Sequence, residues 1–357
     1  MLLRMVKKSI LFLFFAISYC GTIFADNYAI LISAGKATSD YAFTNTEYWF
    51  DLYLTYEYLL ISEHYDSAKV FVFYGDGTDY NSSNVRYKKE LHNWGQITDY
   101  DNSYSTMNSI IPSLNNVISD KDNLLFYWVV GHGDKMGTSN DDNYRVMIEH
   151  NSYYDSEYVY KTQLVALINS ITHYNKRKII WMTCESGAMG GGSINPNNNL
   201  TTLITSSTTS ETSYSDIYNN EIHNNFGYAL FCLSTQKYPD GTICDLSQYC
   251  PGTAIVDSLL SINELRTGIS TFISLNSNDT HHPCIFDMGG ISNKIFIGEN
   301  KKIKDVNINA NSSYWLDKME VSNVQFNQNL NISINTDVRT IIRNKTTVPT
   351  GTSLIVK

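Results

Sequence analysis

Leu124-Leu-Phe-Tyr-Trp-Val-Val130 running into Gly131-His132-Gly133, and Lys178-Ile-Ile-Trp-Met-Thr183 running into Cys184-Glu185-Ser186-Gly187, are the two stretches on which the fold turns. Each is an apolar run of strand length closed by a turn, the pattern of a strand buried on both faces of a parallel sheet. Two such strands lying side by side deliver the residues after their carboxyl ends to one edge, where α/β sheets hold ligands. Here those residues are an imidazole and a thiol.

A cysteine is a strong nucleophile only as a thiolate, so it needs a base or a positive environment beside it. His132 is the candidate base and Cys184 the candidate nucleophile. The glycines flanking His132 let the backbone turn sharply and approach a reacting carbonyl without a Cβ in the way. The amides of Gly133 and Cys184 form the expected oxyanion hole. Taken singly, His132 reads as an ordinary Gly-rich turn and Cys184 as a small core residue. Taken together they read as a catalytic pair.

The two residues stand 52 apart, close to the His-to-Cys spacing of caspases. Thr183-Cys184-Glu185-Ser186-Gly187-Ala188-Met189 resembles the Ala-Cys-Glu-Ser-Gly-Ser-Met of legumain, the asparaginyl endopeptidase. The likeness extends over Tyr28 to Ser33, the strand before His132-Gly133, the stretch Lys161 to Ile171, Lys176-Arg177-Lys178, and Ser210-Glu-Thr-Ser-Tyr214, roughly residues 27 to 298. The chain thus resembles the legumain family of caspase-fold cysteine peptidases, with the glycosylphosphatidylinositol transamidase catalytic subunit a more distant likeness. The resemblance implies that Asn45 orients the histidine, and that Ser213 and Glu185 lie on the substrate side. It also aligns Glu47 with the family's specificity arginine. Met182 stands where a pocket acid should be, and the later pocket acid falls near Phe226, so asparagine specificity is not implied. An acid without its arginine favours a cation, hence a basic residue before the cut bond. The alternative is that Glu47 is a solvated residue favoured by a helix N-terminus.

With 43% hydrophobic and 17% charged residues the chain is composed to fold. A net charge of −9 and a pI near 5.3 argue against nucleic-acid binding. Lys176-Arg177-Lys178 and Lys301-Lys302-Ile303-Lys304 read as solvated ends of elements. Residues 1–25 have the three-part layout of a secretory signal peptide: Arg4, Lys7 and Lys8, then apolar Ile10 to Ile17, then Ile23-Phe24-Ala25. The mature chain is expected to be secreted or otherwise extracytoplasmic, with no membrane span after signal removal. Cys232, Cys244, Cys250 and Cys284 allow three pairings in an oxidising compartment, with Cys244–Cys250 the plausible local bridge; a zinc site is the weaker alternative.

Alternation of strands and helices from Tyr28 to Gly298 reads as a doubly wound α/β sheet, caspase-like, mostly parallel, of about six strands with helices on both faces. Strands are expected at 28–33, 69–73, 124–130, 178–183, 200–205 and 294–297. Helices are expected at 46–64, 106–119 (with Ile110, Ile111, Leu114 and Val117 inward and Pro112 in its first turns), 156–171, 226–233 and 261–272. Residues 26–298 form the peptidase domain and 299–357 a small β-rich module of short alternating strands. The expected activity is a cysteine endopeptidase acting on protein or peptide, needing no metal or organic cofactor. The same acyl-enzyme serves a transamidase or ligase. Two further classes remain open: a non-catalytic binding or adhesion protein, and a metal-binding protein using His281-His282 and Cys284. The oligomeric state is not legible.

Overall fold

In a computed structural model the chain is described over residues 27–35, 46–118, 124–137, 140–152, 155–190, 194, 200–250, 260–279 and 281–287. The backbone strands 300–304, 307–308, 312–322, 325–326, 331–343 and 353–356 follow. The expected signal peptide and the expected strand 294–297 lie outside the described residues.

In chain order come β1 (Asn27–Ser33), α1 (Thr46–Glu57), β2 (Val70–Tyr74), α2 (Tyr104–Ser113) and β3 (Leu124–Val130). A three-stranded insert follows: β4 (His132–Lys135), β5 (Tyr144–Ser152) and β6 (Asp155–Tyr160). Then come α3 (Lys161–Ser170), β7 (Lys176–Met182), β8 (Leu200–Thr205), the hairpin β9 (Ser215–Tyr218) and β10 (Glu221–Asn224), α4 (Asn225–Thr235), α5 (Ile262–Asn276) and β11 (Cys284–Asp287). The main sheet has the order β11-β8-β7-β3-β1-β2, and only β11 runs antiparallel. The fold is thus mixed α/β with a mostly parallel sheet of six strands.

Alternate strand residues feed two cores, as period-2 side chains must. Ala29, Leu31, Phe126, Trp128, Ile180 and Met182 point to one face, against α1, α4 and α5. Ile30, Ile32, Leu125, Tyr127, Ile179 and Trp181 point to the other, against α2 and α3. Helix starts are set by side chains that satisfy otherwise unpaired amides: Ser103 for α2, Asn224 for α4, and a Ser261/Glu264 capping box for α5.

The structure corrects several expectations. Residues 156–160 are strand, because Asp155–Tyr160 pairs antiparallel with β5 and buries Val159 between exposed Tyr158 and Tyr160. Helix α2 starts at Tyr104, so Pro112 falls in its last turn and ends it; Val117 lies beyond the helix and is exposed. Lys176, Arg177 and Lys178 are buried. The start of β7 runs under the end of α3, where the Arg177 guanidinium donates to the carbonyls of Ile168 (2.9 Å) and Ile194 and to Asn169 Oδ1 (3.2 Å). Among the described residues the strand outside β8 is Cys284–Asp287. Cys232, Cys244, Cys250 and Cys284 are free thiols. The Cys244–Cys250 bridge is not formed, because the Cys250 thiol turns to the Glu264 carbonyl (3.8 Å) and packs against Gly268 of α5.

After residue 299 the described backbone is strand throughout, in strands from two to thirteen residues long that pair in parallel. β12 (Asn300–Lys304), β14 (Ser312–Ser322), β16 (Asn331–Arg343) and β17 (Ser353–Val356) form one parallel sheet. β13 (Asn307–Ile308) and β15 (Gln325–Phe326) form a second. Stacked partners such as Asn300 and Lys318, or Asn307 and Gln325, are one coil apart. Links this short leave no room for a crossover helix, so the strands stack as successive coils of a parallel β-solenoid.

Candidate active site

Strands β3 and β7 pair from Leu124↔Lys176 to Val130↔Met182 at a constant offset of 52 residues, the separation of His132 and Cys184. The Gly131 amide carries the ladder one step further, donating to the Met182 carbonyl at 3.2 Å. Beyond it Gly133 lies directly on the Cys184 peptide. A Cβ at Gly133 would stand 2.6 Å from the Cys184 carbonyl oxygen and 2.8 Å from Thr183 Oγ1. Gly131 is equally constrained, since a Cβ there would meet Ala34 Cβ at 2.2 Å.

The His132 ring is half exposed, stands edge-on to Tyr48 with centroids 5.5 Å apart, and has Nε2 3.9 Å from Glu149 Oε1. Burial lowers its pKa below the ordinary value. The Cys184 thiol donates to the Ser213 carbonyl at 3.7 Å. Burial raises its pKa; the Ser213 contact lowers it, and the charges of Glu185 and Glu47 raise it further. Both shifts favour the uncharged form of the group concerned.

The turn after β7 is braced from beneath. Glu185 occupies left-handed backbone (φ 55°, ψ 22°), uncommon for a residue with a Cβ, and its amide donates to the Glu211 carbonyl at 2.7 Å. Ser206 and Ser207 hydroxyls donate to the Thr183 carbonyl at 3.2 and 3.1 Å, and the Ser207 amide donates to Ser186 Oγ at 3.1 Å. Tyr144, fully buried, binds Thr183 Oγ1 and accepts from Trp181 Nε1.

Behind the thiol lies a buried polar cluster. Glu47 is only 8% exposed, and burial pushes its carboxyl up to about 8, offset in part by a hydrogen bond to Ser215. The solvated reading of Glu47 is therefore overturned. Below pH 8 the residue is also not a standing negative charge. Asp51 Oδ1 lies 2.7 Å from His223 Nδ1, and Asp51 Oδ2 accepts from the Asn224 amide at 3.0 Å. Asn224 Nδ2 donates to Ser213 Oγ at 3.0 Å, which ties this cluster to the residue touching the thiol. His223 Nε2 meets Tyr87 Oη at 2.6 Å, and Tyr87 donates to Glu221 at 2.7 Å. Carboxylates on both sides raise the His223 pKa against the opposing effect of burial.

The structure sets Gly133, next to His132, against the Cys184 peptide and the Ser213 carbonyl on the Cys184 thiol, with Glu47 close enough to affect the titration of that thiol. Asn45 lies outside the described residues. Met182 and Phe226 are fully buried in the apolar core, so neither position holds a pocket acid. Asp51, His223 and Glu149 were not singled out from sequence; Glu-His and Asp in helical or strand runs carry no spacing signal of their own. His281, His282 and Cys284 do not build a metal site: His282 Nδ1 pairs with Glu211 at 2.6 Å, and among the described residues no group of three ligating side chains forms. No described helix is long and apolar enough to cross a membrane. Beside His132 opens a cleft of about 260 Å³ lined by His132, Gly133, Asp134, Met147 and Tyr158.

No protein-family model matches the sequence, and no curated protein matches it. Among solved structures the chain is similar to caspase-1 from Spodoptera frugiperda, with 13% identity and a TM-score of 0.41 over 74% of this chain and 87% of that one.

Proposed function

We propose that this chain is an exported, legumain-like cysteine endopeptidase whose nucleophile is Cys184 and whose base is His132. The observation that carries the reading is the placement of Gly133 against the Cys184 peptide, at the joint end of two strands whose register matches the separation of the pair. The Cys184 sulfur attacks a peptide carbonyl carbon and passes its proton to His132. A carbon–sulfur bond forms, and the amides of Gly133 and Cys184 hold the oxyanion. His132 then returns the proton to the leaving amine as the carbon–nitrogen bond breaks. Water, deprotonated by His132, releases the acyl group and restores the thiol.

The amine leaves on the side of the base, so the cleft running from His132 to Met147 and Tyr158 receives the chain beyond the cut bond. Glu47, Glu185 and Ser213 lie on the side of the acyl group. A basic residue before the cut bond would ionise Glu47 on contact. At pH 7 that costs about 1.4 kcal/mol for a group titrating near 8, within reach of one charge-assisted hydrogen bond.

The test is labelling by a peptidyl acyloxymethyl ketone. The native chain is expected to be labelled, with Cys184→Ala and His132→Ala both silent. Labelling that survives Cys184→Ala would assign the reactivity elsewhere. Fluorogenic peptides with Arg, Lys, Asn or Asp before the cut bond then read specificity. Cleavage of basic peptides is expected to gain on Asn peptides as pH rises toward 8, and cleavage confined to Asn contradicts the role given to Glu47.

A further inference from the structure

The chain leaving β8 passes over the nucleophile turn, and one carboxylate pins it there. β11 pairs antiparallel with β8, with Cys284 opposite Thr205, so the chain entering β11 lies beside the chain leaving β8. Glu211 bridges the two. Its Oε2 accepts from the amides of Thr208 at 3.1 Å and His282 at 3.0 Å, and its Oε1 lies 2.6 Å from His282 Nδ1. Burial raises the carboxyl pKa, but the His282 ring and the two amides outweigh it and hold the group down at about 2. The clamp is therefore charged at neutral pH.

The clamped segment meets the nucleophile turn along its length. The Glu211 carbonyl accepts from the Glu185 amide at 2.7 Å, and the Ser213 carbonyl accepts from the Cys184 thiol at 3.7 Å. The Thr208–Thr209 peptide lies so close to Gly187 that a Cβ there would stand 2.7 Å from Thr208 C and Thr209 N. Glu185, next to the nucleophile, keeps left-handed backbone, which a residue with a Cβ holds only where its surroundings impose it. The bond from its amide to Glu211 is one such restraint.

We infer that Glu211 is a positioning residue for Cys184: by tying residues 208–213 to the chain before β11, it fixes the carbonyls that hold Glu185 and the Cys184 thiol, and with them the direction of the sulfur. The inference rests on the proposed Cys184 chemistry for its effect on rate, but not for the clamp itself. Glu211 has no part in the proton transfers. Its effect is on placement, where an error of about 1 Å costs roughly a hundredfold in rate.

Amide exchange and labelling kinetics test it together. In folded Glu211→Ala the Glu185 amide is expected to exchange at least roughly tenfold faster than in the native chain, while the Ile180 amide of β7 keeps its native rate. A merely structural brace would speed both alike. The rate constant for labelling of Cys184 by the peptidyl acyloxymethyl ketone is expected to fall roughly ten- to a hundredfold. Glu211→Gln, whose side-chain oxygen still accepts from the two amides, is expected to recover part of both. His282→Ala removes a ring that is 70% exposed and keeps the backbone contact. It is expected to slow labelling by less, and to add nothing when combined with Glu211→Ala. Native Glu185 exchange or native labelling in folded Glu211→Ala overturns the inference; should that chain not fold, native values in His282→Ala overturn it. A native chain whose thiol does not react removes the proposed dyad, whereas exchange of the Glu185 amide still decides the clamp.

Discussion

At the residue scale the site depends on a position that tolerates no side chain. Gly133→Ala would place a methyl 2.6 Å from the Cys184 carbonyl oxygen, a backbone atom that cannot yield without moving the nucleophile. We expect it to abolish probe labelling and cost about 1–3 kcal/mol in urea unfolding. Native labelling in Gly133→Ala would mean that the two turns are not packed as described. Glu47 offers a stability test. Its pKa is about 8 folded against 4.5 for the free side chain, so the folded state holds the extra proton. Its contribution is complete below pH 4.5 and falls as pH rises, vanishing above 8. Glu47→Gln is expected to gain on the native chain at roughly 1.4 kcal/mol per pH unit through that window; parallel unfolding curves from pH 5 to 9 would refute the buried, protonated carboxyl. His132, Gly133 and Cys184 were legible because Gly-His-Gly and Thr-Cys-Glu-Ser-Gly each close an apolar run. The clamp by Glu211 was not, since nothing in Ser-Glu-Thr-Ser says that the chain before β11 lies beside it.

At the element scale, β3 and β7 carry the placement of the dyad, and both are buried on two faces. Trp128→Ala in β3 removes a fully buried ring from the core facing α1 and α4, and is expected to cost about 3–5 kcal/mol, read as a lower urea midpoint. Arg177→Met tests the corrected start of β7. Losing the guanidinium strips donors from the Ile168 and Ile194 carbonyls, at about 1–3 kcal/mol, whereas a solvated residue would cost nothing measurable. The apolar runs told where strands lie, because a two-faced burial leaves no polar alternation. They did not tell that Lys176-Arg177-Lys178 is inside, because charge in sequence says nothing about the carbonyls that α3 and the chain near Ile194 present. The segment 156–160 misled for a related reason: Val159 flanked by tyrosines fits helix or strand until β5 is beside it.

At the scale of the whole molecule, a six-stranded α/β sheet precedes a stack of parallel strands, and the residues named for the candidate site all come from the first. A chain ending at Gly298 is therefore expected to keep the native labelling rate at Cys184; loss of labelling in a folded truncated chain would show that the coils beyond 299 complete the site. The solenoid was legible as β structure but not as parallel coils, since register is a property of stacking. The decisive measurement is a crystal structure of the chain treated with a peptide aldehyde. It should show a hemithioacetal on Cys184 Sγ, its oxygen held by the amides of Gly133 and Cys184, with His132 within hydrogen-bonding distance of the adduct. An aldehyde bound elsewhere, or a Cys184 sulfur facing away from His132 with no adduct, would contradict the pairing of thiol and imidazole.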